Sequence, residues 1–143
     1  MADILQEGYD LSRFVTAQSR VYDQVTRELR DGCKRSHWIW FIFPQIAGLG
    51  HSETAQFYAI SSRSEAAAYV AHPVLGPRLR ECTQLVTAVE GRSIEEIMGY
   101  PDDLKFRSSM TLFAHATTEN SDFLAALNKY FDGKEDELTV QRL

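Results

Sequence analysis

Residues 38–43, Trp-Ile-Trp-Phe-Ile-Phe, form an apolar run of large side chains, unexceeded in length by any other in the chain, and restrict its fold more than any other feature. The run is short, aromatic and β-branched, so local rules allow a buried strand or a buried helical turn. A strand needs a sheet to join. No alternating apolar segment with a hairpin turn occurs elsewhere in the sequence, and a lone short strand is not stable. The run is therefore expected to be helical and to end at Pro44. The chain is then all-α, a single compact multihelical domain of about six to eight helices by its apolar spacing.

The flanking segments carry helical signals. Apolar residues at 11, 14, 15, 22, 25 and 29 predict a helix over Leu11–Arg30, with Asp10 as N-cap and Gly32 as its stop. Its Phe14, Val25 and Leu29 should pack on the 38–43 run, where Trp40 and Phe41 are expected to be among the most buried residues. A short helix follows over Thr54–Ile60. Ser64 should cap an alanine-rich helix that Pro73 closes. Pro77 is placed as the first residue of a helix reaching about Glu90. Ser93-Ile94-Glu95-Glu96 is a capping box. Pro101 opens a helix through Phe106, Met110 and Phe113, and Ser121 opens another through Leu127 and Phe131, stopped by Gly133. A short helix starts at Asp136. Residues 1–8 read as a loose leader, leaving 9–143 as the helical domain.

Composition narrows the function classes. With 44% hydrophobic and 24% charged residues, disorder is excluded for the bulk of the chain. Fifteen basic against twenty acidic residues give a net charge of −5, which disfavours tracking a nucleic-acid backbone. Eleven of the fifteen cations are Arg, the planar donor suited to carboxylate and phosphate. Cys33 and Cys82 belong to no C-x-x-C pair and read as reduced thiols. The N-terminus has no apolar signal core, and the longest apolar run is too short to span a bilayer. A cytoplasmic protein with no membrane partner is expected. His37, His51, His72 and His115 lack metal-ligand spacing. In Gly48-Leu49-Gly50 the third glycine of a dinucleotide fingerprint is replaced by Glu53. Neither a metal nor a cofactor is expected.

Three polar constellations remain. In Lys34-Arg35-Ser36-His37, ahead of Trp38 and Trp40, a capping Ser36 would set helix N–H groups beside two cations, which suits an anion. His37 could be a proton donor, and Trp40 could wall a pocket. The plainer reading is a solvated basic turn entering the core. In Pro101–Thr111, Lys105 and Ser108 lie one turn apart, and Asp102 can reach Lys105. Ser108, Ser109 and Thr111 are poor helix formers, so they pack a helix crossing or contact a ligand. In His72–Arg80, Arg78 falls in a first helical turn against the dipole, aimed at a ligand, at a partner's carboxylate or at solvent.

The same segments resemble a bacterial domain-of-unknown-function family whose members often carry the label calpastatin. The resemblance lies in Lys34-Arg35-Ser36-His37-Trp38 running into Trp40–Gln45 and Gly48-Leu49-Gly50, in His72-Pro73-Val74-Leu75-Gly76-Pro77-Arg78-Leu79, and in Asp102-Asp103-Leu104-Lys105 with Arg107–Phe113. It implies a compact multihelical fold and bacterial cytoplasmic origin. It supplies no reaction, cofactor or catalytic residue.

Two functions follow from the residues. One is a cleft for a small anionic metabolite or nucleotide, lined by Lys34, Ser36, His37, Trp40, Arg78, Lys105 and Ser108; this set serves a binder and an enzyme equally. The other is a protein-interaction module using Arg-rich and aromatic surface. RNA binding is set aside by the acidic balance. Convergence of the three constellations on one concave pocket separates the first from the second.

Overall fold

The helix expected over Leu11–Arg30 is α1, Ser12–Arg30, in a computed structural model that describes residues 9–143. The expected leader, residues 1–8, lies outside the described residues. Along the chain follow α2 (Ile39–Ile42), α3 (Glu53–Phe57), α4 (Arg63–Ala71), α5 (Leu75–Ala88), α6 (Ile94–Met98), α7 (Asp102–Ala116), α8 (Ser121–Phe131) and α9 (Glu137–Val140). The chain is all-α. Nine helices stand among the described residues instead of six to eight, because four of them span only four or five residues. The nearest approach to a sheet is a parallel bridge between Ile46 and Ile60.

Helix α7 is the centre. It packs on α4, α6, α8 and α9, while α5 packs on α1, α4 and α8. A helix covered on several sides cannot keep a polar face, and every residue from Ser108 to Ala114 is buried. Phe14, Val25 and Leu29 of α1 are fully buried, as expected. Phe43 meets Phe106 edge to face with centroids 4.9 Å apart, and Phe14 meets Tyr69 in the same way at 5.1 Å.

The 38–43 run does enter the core, as one turn of helix, but in a different register from the one expected. Trp38, Ile39, Ile42 and Phe43 are buried, whereas Trp40 and Phe41 are half-buried. A single turn turns one edge inward, and positions 38, 39, 42 and 43 form that edge.

Several expected caps move. Leu11, not Asp10, takes the cap position of α1, and Asp10 instead accepts from the Ser12 hydroxyl. Ser52 caps α3, which ends at Phe57 because Ile60 is drawn into the bridge with Ile46. Ser62, not Ser64, caps α4 by accepting from Glu65 N at 3.1 Å. Helix α5 starts at Leu75, two residues before Pro77, and ends at Ala88. Pro77 remains in the first turn, where its missing N–H has no intrahelical partner to lose. The capping box at Ser93 and Glu96 is present as read.

Candidate functional site

The basic turn before Trp38 is organised by a residue that sequence reasoning passed over. Glu28 of α1 is 3% exposed. Its Oε1 accepts from Arg35 N (2.8 Å), Ser36 N (3.2 Å) and Trp38 Nε1 (2.9 Å). Its Oε2 accepts from Ser36 Oγ (2.6 Å) and Gln24 Nε2 (3.0 Å). Burial disfavours the ionised carboxyl, but hydrogen bonds from Ser36, Arg35, Trp38 and Gln24 outweigh it and hold the pKa at about 2. Ser36 is therefore not a helix cap; α2 is capped at Trp38, without a side-chain bond. His37 is exposed.

Two of the three constellations meet at Asp102. Lys34 Nζ lies 2.7 Å from Asp102 Oδ2, and Lys105 Nζ lies 3.7 Å from Oδ1. The Lys34 side chain is 6% exposed and rests on the Trp38 ring, whereas Lys105 is more open and rests on Trp40. One carboxylate thus serves two ammonium groups, leaving a positive excess on the Lys105 side.

The third constellation is engaged elsewhere. Arg78 lies over the Tyr22 ring at 4.8 Å and reaches Gln18 Oε1 at 3.4 Å. Buried Gln18 in turn donates to Phe41 O (2.7 Å) and Tyr69 Oη (2.8 Å). Arg78 braces α1, α2 and α4 through Gln18. His72 is a helix cap: its Nδ1 accepts from Val74 N (3.1 Å) and Leu75 N (3.2 Å).

The Ser/Thr content of α7 has a local reason. Ser108 Oγ donates to Asp136 Oδ2 at 3.0 Å, and Thr111 Oγ1 accepts from Asp136 N at 3.0 Å. Arg107 donates to the carbonyls of Lys134 and Glu135. His115 Nε2 and Glu135 Oε2 lie 2.6 Å apart. This stripe fastens residues 134–143 along α7, and Asp136 caps α9.

Between that C-terminal segment, the N-terminal half of α7 and the 48–51 loop lies a cleft of about 560 Å³. Lys105 and Ser108, from the expected set, line it. Gln45, His51, Arg107, Asp136 and Arg142 complete its polar side, and Leu49, Pro101, Leu104 and Leu138 its apolar side. Lys34, Ser36, His37, Trp40 and Arg78 are not among its lining residues. The Arg142 guanidinium lies against Gly48, whose φ is +99° and whose missing side chain leaves the space it fills. Arg142 has no carboxylate within 4 Å among the described residues. A larger concavity of about 800 Å³ flanks the other side of the C-terminal segment. There Glu135, Asp136 and Glu137 outnumber Arg107 and Lys134, so it has no charge preference for an anion. Among the described residues, no group of three His, Cys, Asp or Glu side chains is placed to hold a metal ion, and no helix is long and apolar enough to cross a membrane.

The arrangement defines a small all-helical protein with a cationic, apolar-walled cleft. The chain belongs to the family described as protein of unknown function (DUF1810), whose pattern matches residues 8–143. It is similar to the conserved hypothetical protein Rv1873 from Mycobacterium tuberculosis, with 60% identity over 96% of this chain and 98% of that one, and a TM-score of 0.94. None of the curated proteins matches the chain.

Proposed function

We propose that the chain binds a small anionic ligand in the cleft between the 48–51 loop, α7 and the C-terminal segment. One observation carries this reading. In a chain of net charge −5, the cleft gathers Lys105, Arg107 and Arg142 against the single carboxylate of Asp136. That carboxylate's Oδ2 is already engaged by Ser108 and by both the N–H and the hydroxyl of Thr139. Cations gathered in a concave, partly desolvated place attract an anion more strongly than the same charges spread over a surface.

The test is a thermal-shift panel of anionic metabolites at low and high salt, with Lys105→Ala, Arg142→Ala and His37→Ala beside the wild type. Stabilisation that weakens as salt rises, is lost in the first two variants and persists in His37→Ala supports the cleft. If no anion stabilises the protein, the protein-interaction reading takes its place. It would start from the groove formed by Arg13, Arg20, Phe41, Phe57 and Tyr58, where Phe57 is 58% exposed.

A further inference from the structure

We infer that the ligand class of this cleft is a dianionic phosphomonoester carrying a flat apolar body. The inference rests on the cleft being the binding site and goes on to name what fits it. Charge is the first argument. Lys105, Arg107 and Arg142 against Asp136 give the lining three Lys or Arg side chains and one carboxylate, a formal excess of two positive charges. A monocarboxylate would leave one of these uncompensated, whereas a phosphomonoester is close to a dianion above its second pKa of about 6.

Geometry is the second argument. The Arg142 guanidinium occupies the space that a side chain at Gly48 would fill. A guanidinium offers paired N–H donors to two oxygens of one phosphate, which an ammonium does not. Lys105, resting on Trp40, supplies a point charge in the same cleft.

The apolar wall is the third argument. Leu104 and Leu138 are 46% and 59% exposed and face the same cleft as Leu49 and Pro101. Inorganic phosphate would leave these side chains in water. A ring attached to the phosphate covers them, and the volume of about 560 Å³ accommodates a ligand of mononucleotide size.

Calorimetric titration of the full chain at pH 7.5 with four probes tests the class: phenyl phosphate, benzoate, inorganic phosphate and a short phosphotyrosine peptide. Phenyl phosphate should bind about tenfold tighter than benzoate, which has the ring without the dianion, and about tenfold tighter than inorganic phosphate. Arg142→Gln and Lys105→Gln should each weaken phenyl phosphate about tenfold and narrow its advantage over benzoate, with the unliganded melting temperature unchanged in Arg142→Gln. Benzoate or inorganic phosphate binding as tightly as phenyl phosphate overturns the class while leaving an anion site in place. Tighter binding of the peptide overturns a free small molecule in favour of a phosphorylated protein. Absence of binding by every probe, together with a silent metabolite panel, removes the anion site itself.

Discussion

The indole Nε1 of Trp38 donates to Glu28 Oε1 at 2.9 Å, and both side chains are buried. This one bond ties the last turns of α1 to the entry of the 38–43 run into the core. The carboxylate is held at a pKa of about 2, against an ordinary value of 4.5. A depressed carboxyl pKa contributes stability that is fully present above the unfolded value and is lost as pH falls through the folded one. The contribution at neutral pH is about 3 kcal/mol, disappearing between roughly pH 4.5 and pH 2. Glu28→Gln places an amide donor among donors and should lose about 3 kcal/mol at pH 7. Urea denaturation at pH 7 and pH 3 checks both statements: the variant's deficit should shrink at the lower pH. An equal deficit at both would mean that the second acceptor oxygen, and not the ionised charge, is what Glu28 supplies.

Ser108 and Ser109 are neighbours on α7 with opposite expected effects. Ser108 donates to Asp136, while the Ser109 hydroxyl is fully buried and has no hydrogen-bond partner among the described residues. Ser108→Ala should cost about 1 kcal/mol, and Ser109→Ala should gain about 1 kcal/mol by removing an unsatisfied polar group. Equilibrium unfolding of the two variants settles the sign at each position.

His72 caps α5 through Nδ1, and burial lowers its pKa from the ordinary 6.5. Protonation would remove the acceptor that the Val74 and Leu75 amides need. A lowered histidine pKa contributes stability that is present above pH 6.5 and is lost as pH falls through the folded value. His72→Ala should lose about 1 kcal/mol at pH 8, and His72→Asn should recover most of it, because Asn caps without titrating. Thermal melts from pH 5 to pH 8 should show His72→Asn losing less stability on acidification than the wild type.

The aromatic run shows how far the sequence could be read. Its composition and the lack of any strand partner are enough to make it helical and to bring it into the core. Which aromatics face inward depends on where the single turn begins, and that is decided by Glu28 gripping the preceding residues. Phe43 is fully buried against Phe106, while Trp40 is half-buried under Lys105. Phe43→Ala should therefore cost about 3–5 kcal/mol, and Trp40→Ala clearly less. Chemical denaturation giving the reverse order would contradict the observed register.

Helix existence was legible because apolar spacing and Gly or Pro punctuation are local. Caps were less so, since Ser62 and Ser64 are equally good by type, and His72 is not a customary capping residue. Glu28 carried no signal at all: on a helix of mostly polar residues, a glutamate reads as solvent-facing. The meeting of Lys34 and Lys105 at Asp102 follows from packing the 34–38 turn against α7. The cleft needed still more, because Arg142 reaches Gly48 only after the Arg107, Ser108 and Thr111 stripe has laid the C-terminal segment along α7.

Gly48 and Arg142 can be tested as a pair. Gly48 sits at φ +99°, which side-chain-bearing residues rarely adopt, and an added Cβ would overlap the Arg142 guanidinium. Gly48→Ala should therefore lower stability by about 1–3 kcal/mol from backbone strain and should also displace the arginine. If the seated guanidinium is what grips the phosphate, Gly48→Ala should weaken phenyl phosphate about as much as Arg142→Gln does. The double variant should then be little worse than either single one, since both changes remove the same contact. Titration of the four proteins of this cycle gives the answer. Losses in binding that multiply in the double variant would mean that Gly48 and Arg142 act independently, and the seat would have no part in recognition.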